Sequence, residues 1–470
     1  MVVGEMADAV DLLVIGGGPG GYAAALHAAA LGRDVVLVDR DGIEGLGGTC
    51  IRVGCIPSKA LIELANLTST VSRAAPSGLA VTGATVDLAA FQTWKDGIVG
   101  GLNQGLQTLF AKRDIEVITG VATFNRPNQV AVATPDDKVR FLEFRDVVVA
   151  TGSRATELPG VPRDGTRVLD STDALAMTTL PASIVVVGTG YVGIELGTAF
   201  AKLGASVTLV ESCDRILPQL DAAVTVPVQR ACAELGIDVL TSAQVVEVDG
   251  GYVVVTVNGE QRRVQAEKVV VAIGRYPATD DIGLASAGVT FTASGHVVTD
   301  DFGLAAPHIA AIGDVATGPA LAHKAMAEAE AAVRTLSGRP TRFAPLAIPS
   351  VIFSEPEIAL VGMSEAEARA AGIDVVVGQF PFGASGRAAT LRSQRGFVRV
   401  VIDRDGDAVV GVQMVGPHVS ELLGEAGLAI EMGASPEDLA SVIHPHPTIS
   451  EALGEAAAVA LGRPLHVLRG

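Results

Sequence analysis

Two cysteines separated by four residues, Cys50 and Cys55, are the side chains of this sequence best suited to redox chemistry. In a regular helix, Cα atoms five positions apart are about 8–9 Å distant, whereas a disulfide needs roughly 4.4–6.8 Å. We therefore predict a distorted backbone between the two cysteines, with Gly54 supplying the conformational freedom. A disulfide that closes so short a loop removes little unfolded-state entropy and would be a poor structural staple. The spacing favours a redox-active pair.

Two glycine-rich segments repeat one pattern and predict two nucleotide-binding units. Each follows an apolar strand, precedes a helix rich in Ala and Leu, and is followed by a second strand. In such a pattern the first glycine makes a tight turn, the second lets the backbone approach a pyrophosphate, and the third lets helix and strand pack closely. One copy is weak evidence, but two copies in the same phase are strong evidence. The glycines are Gly16, Gly18 and Gly21 in the first copy and Gly188, Gly190 and Gly193 in the second.

An acidic residue ends the second strand of each copy, 18 residues beyond the third glycine. These residues, Asp39 and Glu211, are each predicted to accept hydrogen bonds from an adenosine ribose. A carboxylate at this position repels a 2′-phosphate. The second site is therefore predicted to prefer NAD to NADP.

Three further segments indicate how the chain passes between these units. Residues 147–153 and 269–275 each form a buried strand that runs into a turn, and both are predicted to cross between domains. Residues 309–314 repeat the strand and turn before a helix that begins near Ala320. Gly313 and Asp314 in that turn could present a carboxylate to a ligand rich in hydroxyl groups.

The last quarter of the chain has a different pattern and no nucleotide fingerprint. Residues 396–403 alternate apolar and polar side chains and face residues 408–412 across an Asp405-Gly406 turn, which predicts a hairpin. Ser435 followed by Pro436 predicts a helix N-terminus. An α+β unit without a ligand site of its own is expected to serve assembly.

A histidine between two prolines, His446, is the other candidate chemical group. A thiol with a pKa near 8.5 needs a base to attack efficiently at neutral pH, and an imidazole held by a carboxylate can supply it. Glu451 could hold the imidazole, but with Thr448 it also fits a capping box of the final helix. The residues alone leave His446 open between catalysis and structure. His444 is expected to be a supporting or solvated residue.

Composition excludes several classes of function. The chain has 470 residues, with 49% hydrophobic and 18% charged side chains, so three or four globular domains are expected. With 52 acidic and 34 basic residues, the formal charge of -18 argues against nucleic acid or anionic membranes as partners and leaves open a basic protein partner. No apolar run reaches transmembrane length. No metal site is predicted.

Cysteine usage bears on the compartment. Four cysteines in 470 residues are typical of a cytoplasmic protein and not of a secreted disulfide framework. No signal peptide is evident. The other two cysteines, Cys213 and Cys232, are predicted to be buried and without a chemical role.

Taken together, the motifs resemble those of the pyridine nucleotide–disulfide oxidoreductases over essentially the whole chain. The resemblance includes the segment around the two cysteines, the turns at 150–153 and 311–314, and residues 446–451. It implies an α/β fold with two Rossmann-like, doubly wound nucleotide-binding domains and a C-terminal α+β dimerisation domain. The implied domains are FAD-binding 1–152, NAD-binding 153–277, central 278–345, which completes the FAD site, and interface 346–470.

The resemblance also implies residue roles. FAD would occupy the first fingerprint and NAD the second. Cys50 would attack substrate, Cys55 would lie against the flavin as a charge-transfer thiolate, and His446, oriented by Glu451, would come from the opposite subunit of a homodimer as acid and base. Lys59 would lie near the flavin, paired with Glu195. Tyr191 would cover the flavin before nicotinamide arrives, and Gly274 would contact NAD. The remaining implied FAD contacts are Gly48, Thr49, Ala122, Thr151, Gly152, Ser153, Gly313, Asp314, Ala320, Leu321, Ala322 and His323.

Within the family, the chain is most similar to the members that oxidise protein-bound dihydrolipoamide and reduce NAD⁺. That activity implies a lipoyl domain and the acyltransferase core of a 2-oxo acid dehydrogenase complex as partners. Residues 94–99 and 379–382 are most similar to the branched-chain form. The alternatives are an NAD(P)H-dependent reductase of another small disulfide and, more remotely, a non-catalytic flavin-binding assembly subunit.

Two residues depart from the family pattern. Arg52 replaces the usual Asn between the cysteines, and Pro445 replaces a small residue between the histidines. Arg52 adds positive charge near the dithiol, where it is expected to lower a thiol pKa or to tune substrate access.

Overall fold

The first fingerprint belongs to a mixed sheet. The structure is a computed structural model and describes residues 7–82 and 85–468. Strands β6, β1, β2 and β3 run parallel in that order, and the hairpin β4–β5 pairs antiparallel with β6. The elements of this unit are β1 (Asp8–Ile15), α1 (Pro19–Ala30), β2 (Val35–Asp39), α2 (Gly48–Arg52), α3 (Cys55–Ser72), α4 (Leu88–Ala111), β3 (Glu116–Thr119), β4 (Val121–Arg126), β5 (Gln129–Ala133) and β6 (Val139–Val149).

The second fingerprint belongs to a five-stranded parallel sheet with strand order β11-β10-β9-β15-β8. An antiparallel sheet of β12, β13 and β14 adjoins it, and β7 pairs with β16 where the chain enters and leaves this unit. The two predicted crossing segments therefore end where β7 and β16 begin, and these two short strands pair. The elements are β7 (Ser153–Ala155), β8 (Val168–Leu169), α5 (Ser171–Leu175), β9 (Ser183–Val187), α6 (Tyr191–Leu203), β10 (Ser206–Val210), α7 (Ala222–Glu234), β11 (Asp238–Leu240), β12 (Ala243–Asp249), β13 (Tyr252–Val257), β14 (Glu260–Gln265), β15 (Lys268–Val271) and β16 (Arg275–Pro277).

The chain then returns to the first sheet. The returning elements are β17 (Leu304–Ala306), β18 (Ile309–Ala311) and α8 (Ala322–Leu336). Strand β18 lies parallel to β6, and β17 completes an eight-stranded sheet. Helix α8 packs along α1. The turn after β18 therefore lies beside the first fingerprint.

The C-terminal unit is an antiparallel five-stranded sheet in the order β19-β20-β23-β22-β21. The predicted hairpin is present as β22–β23, and Ser435 caps a helix that begins at Pro436. The elements are β19 (Ser350–Ile352), β20 (Glu357–Gly362), α9 (Glu365–Ala370), β21 (Val375–Pro381), α10 (Gly386–Thr390), β22 (Phe397–Asp403), β23 (Ala408–Gly416), α11 (Leu423–Glu431), α12 (Pro436–Ser441) and α13 (Glu451–Ala460).

One hydrophobic cluster joins all three units at the junction of α3 and α6. Leu61 of α3, Ile194 of α6 and Ile352 of β19 are buried in the same cluster. Burial of each such side chain favours association by about 1.5–3 kcal/mol. The end of β19 is therefore held against the two helices that carry the candidate redox residues.

Helix α1 follows the first fingerprint and is rich in alanine. Ala24, Ala25 and Ala28 are fully buried, as expected for a packed helix. Within residues 7–82 and 85–468, none of the helices is both long and apolar enough to cross a bilayer.

Candidate functional site

The helix that carries the two cysteines is interrupted between them, as the spacing predicts. Helix α2 ends at Arg52, and α3 begins at Cys55. Both cysteines are free thiols in this structure. A Cβ at Gly54 would lie 2.8 Å from the backbone oxygen of Thr49, so only glycine fits this turn without a shift. The two thiols are in hydrogen-bond contact despite their separation in sequence.

The thiols differ in acidity because they share one proton. The hydrogen bond from Cys50 lowers the pKa of Cys55 to about 7, where Lys59 also lowers it and partial burial and Glu195 oppose the shift. The same contact, together with burial, raises the pKa of Cys50. In the reduced pair the negative charge therefore resides on Cys55.

An ion pair lies beside the thiols. Lys59 is one helical turn beyond Cys55 and shares its face of α3. Its Nζ donates to Oε2 of Glu195 at 2.8 Å, and the Glu195 side chain is only 4% exposed. The sequence expectation that these two residues pair is met in the geometry.

A single cavity of about 720 Å³ connects the first fingerprint to the thiols. This volume lies within the range typical of cofactor sites. Most of the candidate residues line it. They are Gly16, Gly18, Asp39, Gly48, Thr49, Cys50, Cys55, Lys59, Ala122, Thr151, Gly152, Ser153, Tyr191, Glu195, Gly313, Asp314, Ala320 and Ala322.

Other candidate residues are not among those lining this cavity. Gly21 is a packing position, where a Cβ would lie 1.7 Å from the backbone oxygen of Gly16. Leu321 is the N-cap of α8, and His323 forms a hydrogen bond of 2.8 Å with the backbone oxygen of Pro349. The second fingerprint also lies outside the cavity. Its residues Gly188, Gly190, Gly193 and Glu211 do not line the cavity. Gly274, between β15 and β16, does not line it either.

The first fingerprint has the geometry that a dinucleotide requires. Gly16 has a φ of +102°, and a Cβ there would lie 2.4 Å from the backbone oxygen of Ala150. A Cβ at Gly18 would meet no protein atom within 4 Å, so a side chain there would fill the cavity. Asp39 Oδ2 accepts a hydrogen bond of 2.7 Å from the backbone N–H of Gly17. Gly18, the N-cap of α1, makes no side-chain capping bond, so the first N–H groups of the helix are available to phosphate groups.

The second fingerprint repeats this geometry residue for residue. Gly188 has a φ of +94°, and its Cβ would lie 2.5 Å from the backbone oxygen of Ala272. A Cβ at Gly193 would lie 2.0 Å from the oxygen of Gly188, whereas one at Gly190 would meet nothing. Glu211 Oε2 accepts a hydrogen bond of 2.9 Å from the backbone N–H of Thr189. The structure thus fits a second dinucleotide at the N-terminus of α6.

Glu211 is held in its charged form. Burial by itself raises its pKa, but hydrogen bonds from the N–H of Cys213 and from the hydroxyl and N–H of Thr189 outweigh burial, so the pKa lies below its usual value. A fixed negative charge is therefore present where a ribose would bind.

The turn after β18 closes the cavity opposite α1. Asp314 Oδ2 accepts a hydrogen bond of 2.5 Å from the Ser153 hydroxyl. Glu328 accepts a hydrogen bond from the Gly313 N–H through Oε2 at 2.7 Å, and its Oε1 pairs with Nζ of the buried Lys324, also at 2.7 Å. Sequence reasoning missed these two supports, although their spacing of four residues on α8 is a recognisable signal.

Arg275 lines the cavity and was also missed by the sequence analysis. Its guanidinium donates to the hydroxyl and the backbone oxygen of Ser153, each at 2.7 Å. It is the first residue of β16, so its place beside β7 depends on the pairing of β7 with β16.

The candidate base His446 does not line the cavity of its own chain. Its side chain is 78% exposed, and its Nδ1 lies 2.9 Å from Glu451 Oε1. His444 is different, since its mostly buried ring pairs with Glu425 at 2.7 Å. His444 is a supporting residue, and His446 presents a free Nε2 to the surroundings.

One expectation is wrong. Cys213 is exposed, not buried, because it lies in the loop after β10, whereas Cys232 is buried as predicted. The expectation that Arg52 lowers a thiol pKa or tunes substrate access stays a prediction. The Arg52 Nη1 donates to Asp41 at 2.6 Å, and the largest charge effect on the pKa of Cys55 comes from Lys59. Arg52 lines the cavity, and its side chain is paired with Asp41.

The sequence of this chain is similar to those of known proteins. A family model described as pyridine nucleotide-disulphide oxidoreductase matches residues 10–329, and the dimerisation domain of the same group matches residues 348–457. Dihydrolipoyl dehydrogenase 2 of Haloarcula marismortui is 45% identical over 99% of this chain and all of its own length. Dihydrolipoyl dehydrogenase of Geobacillus stearothermophilus is 40% identical over the full length of both chains.

Solved structures show the same likeness. LpdA from Mycobacterium tuberculosis superposes with a TM-score of 0.88 at 27% identity, covering 95% of this chain and 99% of its own. The HOCl-induced flavoprotein disulfide reductase RclA from Escherichia coli superposes with a TM-score of 0.84 at 26% identity, covering 96% and 99%.

Proposed function

This chain belongs to the pyridine nucleotide-disulphide oxidoreductases, and we propose that it catalyses the oxidation of protein-bound dihydrolipoamide with reduction of NAD⁺. It is an oxidoreductase of the dihydrolipoyl dehydrogenase type. The observation that carries this function is the single cavity that joins a dinucleotide fingerprint at Gly16 to the Cys50 and Cys55 thiols.

The cofactors are FAD and NAD. We assign FAD to the cavity that begins at the first fingerprint and NAD to the second fingerprint, where Glu211 would receive the ribose. When bound, FAD accepts two electrons from the dithiol and passes them to NAD⁺ as a hydride. The corresponding domain division is FAD-binding 1–152, NAD-binding 153–277, central 278–345 and interface 346–470.

The thiol chemistry follows from the acidity of the two cysteines. In the oxidised enzyme, a dihydrolipoyl thiolate attacks Sγ of Cys50, the Cys50–Cys55 bond breaks, and Cys55 leaves as the thiolate. The low pKa of Cys55 makes it the better leaving group. The second lipoyl thiol then attacks the mixed disulfide, which releases the lipoyl disulfide and restores the Cys50 thiol. Two protons and two electrons have moved from substrate to the enzyme.

A base must remove the proton from each lipoyl thiol, return one proton to Cys50 and keep the other while Cys55 is a thiolate, and we propose His446 of the partner subunit. Its imidazole is exposed and oriented by Glu451, yet it is absent from the cavity of its own chain. Exposed apolar side chains of the C-terminal unit support a homodimer. They include Ile443 at 95% and Met432 at 75% exposure. The dimerisation-domain match over residues 348–457 supports the same assembly.

The substrate is proposed to be the lipoyl domain of a 2-oxo acid dehydrogenase complex, with the acyltransferase core as docking partner. The formal charge of -18 supports a basic docking module. The branched-chain form of the complex remains our assignment from residues 94–99 and 379–382. The low cysteine content supports work in the reducing cytoplasm.

Steady-state assays test the proposal. NADH production should be far faster with dihydrolipoamide than with other small dithiols or with glutathione, and the Cys50→Ser variant should abolish it. Higher activity as a reductase of another small disulfide would favour the first alternative. Unchanged thiol-driven NADH production in Cys50→Ser would favour a non-catalytic, flavin-binding subunit.

A further inference from the structure

One residue of the C-terminal unit contacts both members of the ion pair beside the thiols. Phe353 follows the last residue of β19. Its backbone N–H donates to Oε1 of Glu195 at 2.9 Å, and its ring centroid lies 4.7 Å from Nζ of Lys59. Glu195 thus uses one oxygen for Phe353 and the other for Lys59. The three groups form a closed arrangement of ammonium, carboxylate and aromatic face.

The segment that carries Phe353 is anchored to the same two helices. Lys202 of α6, whose side chain is 4% exposed, donates to Glu355 Oε2 at 2.5 Å and to Asn66 Oδ1 of α3 at 2.7 Å. The buried Ser354 hydroxyl donates to the backbone oxygen of Pro356 at 2.6 Å. Because both ends of this short segment are tied down, the aromatic ring is fixed relative to α3 and α6.

We propose that Phe353 is a positioning residue of the redox centre, which holds Lys59 beside the Cys55 thiol through its ring face and holds Glu195 through its backbone N–H. This inference deepens the proposed function and depends on it for the role of Cys55. It assigns the C-terminal unit a part in the thiol chemistry of its own subunit, in addition to assembly.

The physical basis is the mobility of a lysine side chain. An ammonium group on a four-carbon stem has many conformations, and an aromatic face within about 6 Å stabilises one of them by roughly 0.5–1 kcal/mol. Glu195 is fixed by the Phe353 N–H, so Lys59 has a fixed partner. Without the ring, Lys59 would visit positions farther from Cys55, and the thiolate would lose part of its compensating charge.

Several charged or titratable groups face the thiols and must be considered in any pH experiment. Lys59 of α3 lowers the pKa of Cys55, and Glu195 of α6 raises it. Cys50 of α2 shares its proton with Cys55, and Asp314 after β18 raises the pKa of Cys50. Tyr191 of α6 lies within electrostatic range of Cys55. Phe353 carries no titratable group, so its replacement changes only their arrangement.

The experiment measures the thiolate directly. The holoenzyme and its variants are reduced anaerobically with one equivalent of dithionite, and the long-wavelength absorbance that a thiolate gives against flavin is followed from acidic to alkaline pH. Phe353→Leu should shift the midpoint upward by about half a pH unit. Phe353→Tyr keeps the ring face and should restore the wild-type midpoint. Phe353→Met fills the space without an aromatic face and should shift the midpoint upward by the same amount as Phe353→Leu. It replaces the leucine variant in the test if that variant does not retain FAD.

A matched control is available on β13. The Tyr252 ring also faces a cation, since its centroid lies 4.6 Å from the Arg263 guanidinium, and neither residue lines the cavity or belongs to the cluster that joins α3, α6 and β19. Tyr252→Leu should leave the midpoint unchanged. A wild-type midpoint in Phe353→Leu and Phe353→Met, or an equal shift in Phe353→Tyr, would overturn the inference. The titration uses no dihydrolipoamide, so failure of the proposed substrate activity would be seen separately in the steady-state assay.

Discussion

Glu451 Oε1 lies 2.9 Å from Nδ1 of His446, and the other carboxylate oxygen accepts the backbone N–H of Thr448 at 2.8 Å. Burial by itself raises the pKa of Glu451, but the N–H of Thr448 and the imidazole of His446 lower it to below its usual value. An ionised carboxylate only accepts hydrogen bonds, so Nδ1 carries the proton and Nε2 is free to take one. One residue therefore stabilises the start of α13 and orients the imidazole.

We predict that replacing either residue lowers turnover with dihydrolipoamide. His446→Gln should reduce kcat by about 10²–10⁴-fold, because a positioned general base contributes that much. Glu451→Gln should lower kcat by a smaller factor, because the amide still contacts the imidazole but no longer supplies the charged acceptor that orients Nδ1. Stopped-flow and steady-state kinetics measure both effects.

The control for this prediction is the neighbouring pair His444–Glu425, whose Nε2–Oε1 distance is 2.7 Å. Glu425→Gln makes the same chemical change and should leave kcat unchanged. An equal loss of kcat in Glu425→Gln and Glu451→Gln would contradict a specific role for His446.

Glu211 should determine the choice of nucleotide. Its pKa lies below the usual value, so the carboxylate stays charged at neutral pH and repels a 2′-phosphate. We expect kcat/KM for NAD⁺ to exceed that for NADP⁺ by on the order of a hundredfold, since like-charge contacts cost several kcal/mol. Glu211→Gln should lower the ratio of kcat/KM for NAD⁺ to kcat/KM for NADP⁺. Asp39→Asn, the matching change in the first fingerprint, should weaken FAD retention and leave the ratio intact. Equal use of both nucleotides by the wild type would refute the assignment.

Gly54 should tolerate no side chain. A Cβ there would lie 2.8 Å from the backbone oxygen of Thr49, and relieving that contact must move the chain between the two cysteines. Gly54→Ala is expected to destabilise the protein by about 1–3 kcal/mol and to slow disulfide formation. Gly97→Ala is the control, since the new Cβ in α4 meets no atom within 4 Å and should stabilise by roughly 0.5–1 kcal/mol. Denaturant unfolding and thiol counting measure the difference, and equal behaviour of the two variants would argue against a strict requirement at Gly54.

Arg52 should have little influence on the thiols. Its guanidinium pairs with Asp41, whereas Cys50 and Lys59 govern Cys55. The pKa of Cys55 is about 7, so its thiolate fraction rises as the pH increases through that value. We expect Arg52→Asn to show the same midpoint as the wild type in an anaerobic thiolate titration. A shift of one pH unit or more in this midpoint would contradict the prediction and would show that the charge of Arg52 acts on the thiols.

Local patterns made much of the fold predictable. The two fingerprints, the β22–β23 hairpin and the Ser435 cap each depend on residues close together in sequence, where turn and capping chemistry decide the structure. The burial of Cys213 was predicted wrongly because strand periodicity does not indicate where the chain leaves the sheet. That boundary depends on which loop covers the strand end.

The supports of the site were less predictable for a physical reason. Lys59 and Glu195 are 136 residues apart, and Glu195 and Phe353 are 158 apart, so their contacts depend on how three units pack. Family resemblance supplied the first pair, but nothing in the sequence pattern indicated Phe353. Arg52 shows the converse difficulty, since its charge is visible in the sequence but its partner Asp41 is not.

Anaerobic reduction of the holoenzyme by one equivalent of dihydrolipoamide tests most directly whether the Cys50–Cys55 pair exchanges electrons with bound flavin. We predict a long-wavelength absorbance band in the wild type, two more titratable thiols after denaturation than in the oxidised enzyme, and loss of the band in Cys55→Ser. Full reduction of the flavin by dihydrolipoamide in the Cys50→Ser and Cys55→Ser variants, at the wild-type rate, would contradict electron transfer through this pair.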